Sequence, residues 1–372
     1  MEYRKFEKVD KLSLLGFGCM RFPTLENGKI NEEEAEKMID YAIKNGVNYI
    51  DTAYPYHNGD SEPFVGKVLD KYPRDSYYLA TKLPMWKVET LEDAKNLFEE
   101  QLKRVNKDYV DYYLFHALSK ERWEKIKELG LIDYFEGKKK EGKLRKLGFS
   151  FHDDYKVFEE IITYYNWDFC QIQFNYLDTE EQAGLKGVEL AKKLNVPLVI
   201  MEPIKGGALA QLPEDVYNVL KKTNDKWSAA SWALRYVASF DNMMTILSGM
   251  SSMEHVIDNI NTFNSITEFG EKEMASIDEA VKVFKSRIKN PCTNCKYCMP
   301  CPAGVNIPRN FACWNKMSMY DSKKVVAWAV NDMKEKGETA DKCVKCGKCE
   351  AVCPQHIQIR KDLERVCEEL LK

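Results

Sequence analysis

The sequence predicts an α/β fold, a (β/α)8 TIM barrel, joined to a small C-terminal domain of a different make. Three observations carry this reading. Eight short apolar runs alternate with amphipathic stretches over roughly the first 265 residues, the count and size of a (β/α)8 barrel. The first run is not followed by the G-x-G-x-x-G turn of a dinucleotide-binding doubly wound sheet, since Gly16-Phe-Gly18 lacks the third glycine and leads into no helix. Finally, ten of the twelve cysteines lie after Asn290, so composition changes abruptly there.

The runs are Leu14 to Met20, Val47 to Ala53, Tyr77 to Leu83, Val110 to His116, Leu144 to Ser150, Phe169 to Asn175, Pro197 to Pro203 and Met243 to Met250. Each is too short for a helix and rich in Ile, Val, Leu, Tyr or Phe, as buried parallel strands are. Between them, helical periodicity runs over Asn31 to Asn45, Leu91 to Val105, Asp153 to Tyr165, Thr179 to Leu194 and Trp227 to Ser239. Asn31 with Glu34 forms a capping-box variant, and Gly46 is placed to end the first helix. A charged helix from about Gly270 to Lys289 leads to Pro291, which marks the boundary. The expected domains are therefore 1–288 and 289–372. An open doubly wound sheet is the alternative to the barrel.

Composition narrows the function. Of the 372 residues 44% are hydrophobic and 30% charged, which suits a globular core with a solvated surface. The formal charge of -3 mixes both signs, so there is no electrostatic case for nucleic acid. The run Gly137-Lys-Lys-Lys-Glu-Gly-Lys-Leu-Arg-Lys146 is short, broken by Glu141, and reads as a solvated helix end. No stretch of about 18 apolar residues occurs, so no membrane span is expected. Met1-Glu-Tyr-Arg-Lys-Phe-Glu-Lys lacks the apolar segment of a signal peptide. The expected location is cytoplasmic, where thiols stay reduced.

The strongest local signal is in the tail. It reads Cys292-x2-Cys295-x2-Cys298-x2-Cys301-Pro302, then Cys343-x2-Cys346-x2-Cys349-x3-Cys353-Pro354. The second run matches the two-cluster [4Fe-4S] pattern C-x2-C-x2-C-x3-C-P at every position. Three closely spaced thiolates wrap one cubane while the distant fourth reaches its neighbour. This assigns Cys292, Cys295, Cys298 and Cys353 to one cluster and Cys343, Cys346, Cys349 and Cys301 to the other. The first motif departs by having two residues, not three, before its last cysteine. Four-cysteine zinc sites and a disulfide framework are the alternatives, but zinc has no use for a third thiol in series. The tail resembles two-cluster bacterial ferredoxins, with a helical insertion from about Pro308 to Lys336. Cys19, Cys170, Cys313 and Cys367 fall outside the spacing and read as ordinary thiols.

In a barrel the active site lies at the carboxyl ends of the strands. Those ends carry Asp51 (second run), Lys82 (third) and His116 (fourth), with Tyr56 in the loop after Asp51. Taken singly each has an ordinary use: a turn cap, a snorkelling lysine, a packing histidine. Three ionisable groups at three consecutive strand ends point to chemistry instead. Here the sequence resembles the aldo-keto reductase family, over roughly residues 8 to 265. The matching pieces are Leu15-Gly-Phe-Gly18, Asp51-Thr-Ala-x-x-Tyr56, Ser61-Glu62 before a helix with Gly66, Thr81-Lys82, Phe115-His116, Gly148-Phe-Ser150, Gln171 and Glu202-Pro-Ile-Lys-Gly-Gly207. The cysteine tail is similar to that of a subgroup of these reductases carrying iron–sulfur clusters. The resemblance implies that Tyr56, Lys82, Asp51 and His116 are the catalytic four.

Those four support carbonyl reduction on chemical grounds. A phenol with a pKa near 10 is a weak acid, and an adjacent ammonium, Lys82, is expected to lower it. Asp51 would hold Lys82 charged, His116 would orient the carbonyl oxygen, and Tyr56 would protonate it as a hydride arrives at carbon. The resemblance implies a nicotinamide donor, NADP(H) or NAD(H), held by Ser150 and Gln171 at the carboxamide, Gly206 and Gly207 at the pyrophosphate, and Ser251 and Asn259 at the adenosine. It adds Gly18, Met20, Asp51 and Pro203 to the cofactor-binding set, and Met201 where many members place a stacking aromatic residue. His255 stands where an arginine often holds the 2′-phosphate, which leaves NAD against NADP open. The expected substrate is a small carbonyl compound or alcohol, with a redox partner such as ferredoxin or flavodoxin for the clusters. Two rival readings remain: an electron-transfer protein whose barrel is a scaffold, and a ferredoxin-dependent reductase. The second needs a flavin or radical step to join one-electron to hydride chemistry, and flavin is not excluded.

Overall fold

The computed structural model describes residues 1–266 and 269–372. They divide into two compact units, one made of 1–209 and 230–270, the other of 210–229 and 271–372.

The first unit opens with an antiparallel hairpin, β1 (Tyr3–Phe6) and β2 (Val9–Ser13). Eight parallel strands then close a barrel in chain order: β3 (Leu15–Gly18), β4 (Tyr49–Asp51), β5 (Tyr78–Leu83), β6 (Val110–Leu118), β7 (Leu144–Phe151), β8 (Phe169–Gln173), β9 (Leu198–Met201) and β10 (Met243–Ser248), which returns to β3. Each expected apolar run coincides with one of them, although β6 runs two residues and β7 one residue past the expected ends. The near-continuous burial of β3, β4 and β10 explains why these runs show no polar alternation, since both faces are covered.

The hairpin was not legible in the sequence, because Tyr-Arg-Lys-Phe and Val-Asp-Lys-Leu-Ser are half polar. Its role is clear from packing. Val9 and Leu12 join Tyr49, Ala80, Tyr112, Phe169 and Val199 in one buried cluster, so the hairpin contributes to the packed barrel interior.

The helices Glu32–Lys44, Leu91–Arg104, Tyr155–Tyr164 and Ala229–Ala238 fall where periodicity placed them. The box at Asn31 is only half made. Asn31 Oδ1 accepts from the Glu34 backbone N–H at 3.4 Å, but the Asn31 N–H donates to the Pro23 carbonyl instead. A complete box stands at Thr90 and Asp93. The helix expected from Thr179 begins only at Gly184, because Gln182 and Gly184 are left-handed, with φ of 53° and 55°. Close packing matters most at Gly66. A Cβ there would lie 2.3 Å from the Val105 carbonyl oxygen, so only glycine lets the helix Ser61–Leu69 approach that backbone.

The second unit is helical, and none of its described residues forms a β-strand. Its helices Glu214–Lys221 and Glu271–Ser286 are tied by Thr223 to Ser276 at 2.6 Å, and beyond the second helix Arg287 pairs with Asp215 at 2.7 Å. The expected insertion is the pair of helices Ile307–Tyr320 and Ala327–Glu335. They build a core of Ile307, Phe311, Trp314, Met333, Leu363 and Val366, against which six of the eight motif cysteines pack. No helix among the described residues is long and apolar enough to cross a membrane.

Candidate active site and cysteine cages

The β4 and β5 strand ends place Asp51 and Lys82 together. Asp51 is the last residue of β4 and pairs in register with Ala80, which sets Lys82 beyond it on β5. Lys82 Nζ donates to both Asp51 carboxylate oxygens and to the Thr52 carbonyl, each at 2.8 Å. Both side chains are almost wholly buried, at 0% and 2% exposure. An unpaired charge there would be costly, so the three contacts fix the ammonium in one place. Burial pulls the Lys82 pKa down, but Asp51 and Tyr56 outweigh it, leaving the ammonium above its ordinary value. Burial pushes Asp51 up, with Lys82 opposing.

Tyr56 starts a short 3-10 turn after Pro55. Its ring lies 5.0 Å from Lys82 Nζ and meets His116 edge-on at 6.3 Å between centroids. The four expected catalytic residues are thus neighbours. One expectation about them fails. Burial raises the Tyr56 pKa above its ordinary value, and Asp51 adds to it, so the lowering by Lys82 does not win. The phenol stays protonated at neutral pH, ready as an acid. His116 is held well below the ordinary histidine value by burial, then by Lys82, His152 and Arg122. It is a neutral imidazole, and its buried Nδ1 has no hydrogen-bond partner.

A second layer, unread in the sequence, holds this group. Glu62 Oε1 accepts from Thr81 Oγ1 and Gln101 Nε2, each at 2.6 Å, and Glu62 Oε2 from Arg104 Nε at 2.6 Å. Gln101 Nε2 also donates to the Lys82 carbonyl at 3.0 Å. Arg104 reaches the carbonyls of Gly59 at 2.6 Å and Tyr54 at 3.3 Å, on either side of Tyr56. The clamp therefore grips both the turn carrying the phenol and the strand carrying the ammonium. Gln101 and Arg104 looked like ordinary helix positions. The legible hint was Glu62, an acid in the first turn of a helix that is fully buried.

The remaining strand ends suit a dinucleotide. Gln171 Oε1 is buried without a partner, while its Nε2 donates to Met201 Sδ at 3.4 Å. Ser150 Oγ accepts from the Ala117 N–H at 2.7 Å and keeps its own O–H to give. Gly206 and Gly207 are left-handed, with φ of 64° and 95°, and a Cβ on Gly207 would meet nothing within 4 Å. That is an open cradle of the kind a pyrophosphate occupies. Arg21 reaches across it, its guanidinium 3.3 Å from a Cβ on Gly206 and 3.7 Å from Glu202. Gly18 is buried, Pro203 follows the left-handed Glu202 just after β9, and Met20 is 55% exposed. Ser251 is exposed and gives its N–H to His255 Nδ1 at 3.3 Å, whereas Asn259 is buried and donates to Ser248 Oγ at 2.9 Å. The orphaned Gln171 oxygen and the glycine cradle fit a nicotinamide dinucleotide. A cavity of 550 Å³ lies elsewhere, between Tyr72, Arg74, Tyr77, Tyr109 and Lys143, toward the amino ends of the strands.

In the second unit the eight motif cysteines surround two cavities. One, of 210 Å³, is lined by Cys301, Cys343, Cys346 and Cys349, and also by Cys298, which lines both cavities. The other, tighter, is lined by Cys292, Cys295, Cys298 and Cys353. The last cysteine of each motif thus faces the first three of the other. The two loops share one backbone pattern, with left-handed residues at Asn294 and Lys296 and again at Lys345 and Gly347. Three closely spaced thiols of one motif and the last thiol of the other, around each cavity, fit a [4Fe-4S] cluster. Cys19, Cys170 and Cys313 are buried and Cys367 is half-buried.

Comparison with known proteins agrees with both halves. The model of the aldo/keto reductase family matches residues 14–282, and that of a 4Fe-4S dicluster domain matches 291–357. The chain belongs to the aldo/keto reductase family and is an oxidoreductase. An uncharacterized oxidoreductase of Bacillus subtilis (strain 168), YqkF, is 26% identical over 76% of this chain and 97% of its own. The NADH-specific methylglyoxal reductase of Escherichia coli (strain K12) is 24% identical over 64% of this chain and 85% of its own. Among solved structures, the holo form of aldo-keto reductase AKR11C1 from Bacillus halodurans superposes with a TM-score of 0.64 at 28% identity, over 75% of this chain and 96% of that one.

Proposed function

We propose that the chain interconverts a small carbonyl compound and its alcohol with NAD(P)H, and that its tail holds two [4Fe-4S] clusters for one-electron exchange. The observation that carries the first part is the convergence of Tyr56, Lys82, Asp51 and neutral His116, with Gln171 Oε1 and His116 Nδ1 left unsatisfied. Buried polar atoms without partners are costly unless a ligand completes them.

In this reading the substrate oxygen sits between Tyr56 and His116. His116, neutral, donates an N–H that orients the carbonyl and stabilises charge building on its oxygen. Tyr56 gives the oxygen its proton in reduction and accepts one in oxidation, which contributes roughly 100- to 10,000-fold. Lys82, anchored by Asp51, stabilises the phenolate left behind. Ser150 and Gln171 hold the carboxamide, and Gly206 with Gly207 receives the pyrophosphate. A bound nicotinamide supplies the hydride. In the tail, Cys292, Cys295, Cys298 and Cys353 would hold one cluster and Cys343, Cys346, Cys349 and Cys301 the other.

The test is anaerobic assay of the purified chain with NADH and NADPH against short aldehydes and ketones, alongside iron and sulfide analysis. Carbonyl-dependent oxidation of either nicotinamide, with about eight irons per chain as two cubanes require, is the expected result. Absence of any such oxidation overturns the first part, and four or fewer irons overturns the second.

A further inference from the structure

We infer that the rim of the two cysteine cavities is a docking face for an acidic one-electron carrier protein. The inference rests on the cluster reading above and adds the partner's chemistry and its landing site.

Apolar exposure marks the face. Tyr297, Val344 and Val352 are 70%, 68% and 52% exposed, and all three line the 210 Å³ cysteine cavity. Tyr297 also borders the tighter one. Large apolar side chains held this far in water and gathered at one place suit contact with a partner. Cys295 and Cys346 are themselves exposed, so the sulfurs come to the same surface.

Charge selects the partner. The charged residues lining the two cavities are Lys296, Lys345, Lys348 and Arg360, with no carboxylate among them. Lys345 is paired with Glu364, and Arg360 with Glu350 at 2.8 Å. Lys296 and Lys348 make no ion pair within the described residues, so two cations of the rim are left to meet carboxylates of a partner. Cations beside thiolate-bound clusters also offset the clusters' own negative charge. That use does not account for Tyr297, Val344 and Val352. Apolar contacts ringed by one sign of charge steer and hold a partner of the opposite sign. Redox encounters are small, below about 1,200 Å². Each encounter moves one electron from carrier to chain or back, with no atom transferred.

The experiment uses the full cluster-loaded chain and, as probe, an acidic flavodoxin reduced to its hydroquinone. Electron transfer is followed by stopped flow as ionic strength rises from about 0.01 to 0.15 M, which shortens the Debye length from about 30 to 8 Å. The expected result is a rate constant that falls steeply with salt, and about tenfold at low salt in the Lys296→Glu, Lys348→Glu double variant. Nicotinamide-dependent carbonyl reduction should stay unchanged in that variant. The salt series on the unaltered chain serves even if the variant loads no clusters. A rate indifferent to salt, with clusters present, overturns the docking face while leaving the cluster reading intact. A chain without iron or visible absorption overturns both. A dimer that the double variant dissociates, or lysines shielded from amine reagents in the isolated chain, shows that this face is already covered and overturns the inference.

Discussion

The two polar centres of this molecule are built on opposite plans. In the barrel nearly every polar group is spent on another protein group. Lys82 is saturated by Asp51 and Thr52, and Glu62 by Thr81, Gln101 and Arg104. Among the described residues His116 Nδ1 and Gln171 Oε1 are left over near the carboxyl ends of their strands. In the tail the motif thiols have few protein partners among the described residues, backbone N–H groups such as that of Lys345 on Cys343 Sγ at 3.4 Å. One centre is pre-organised by the chain itself. The other is organised for a group the chain must acquire.

Removing iron is the widest way to break this contrast. Chelation under mild oxidation should abolish cooperative unfolding of the second unit, since a metal cage and its fold stabilise each other. The barrel transition should stay in place. Separate transitions in a calorimetric scan would show this, and a single transition lost altogether would show that the barrel also depends on iron.

Within the barrel the largest effect is expected at the buried pair. Lys82→Met leaves Asp51 charged and alone, which should cost about 3–5 kcal/mol of stability, read from denaturant midpoints. Losses under about 1 kcal/mol would mean the pair is wetter than its burial implies. The clamp is predicted to matter less for folding and more for rate. Arg104→Met releases the turn carrying Tyr56, and small displacements of a reacting group cost up to about 100-fold. Its signature is a fall in kcat with little change in nicotinamide affinity.

The smallest effect is the most diagnostic of electrostatics. With the Tyr56 phenol raised and the His116 imidazole lowered, neither group changes charge near neutrality. Carbonyl reduction, which needs the protonated phenol, should be flat through pH 6 to 8 and decline only above about 10, the ordinary tyrosine value. Alcohol oxidation, which needs the phenolate, should rise with pH over the same range. A bell centred near pH 7 would contradict both shifts.

Much of this was legible in the chain. Eight buried strands announced themselves because each is a short, branched, apolar run, and the cysteine spacing is dictated by cluster geometry. That Asp51, Tyr56, Lys82 and His116 would be neighbours could be read because consecutive barrel strands bring their carboxyl ends together. What escaped depends on contacts far apart in sequence. The hairpin β1–β2 is half polar and gains its meaning only by packing with the barrel interior. Gln101 and Arg104 sit on a helix whose pattern looks amphipathic, and only their reach to Glu62 and Tyr54 gives them a role. The direction of the Tyr56 shift escapes the sequence for a related reason. A sequence shows the neighbouring ammonium but not the burial that outweighs it.

The central claim is that Tyr56 transfers the proton in a nicotinamide-dependent carbonyl reduction. Its most direct test is single-turnover reduction by Tyr56→Phe, measured anaerobically with the better of NADH and NADPH. The account predicts a rate lower by roughly 100- to 10,000-fold, with nicotinamide binding and the visible cluster spectrum unchanged. A variant that reduces the carbonyl as fast as the parent chain would contradict it.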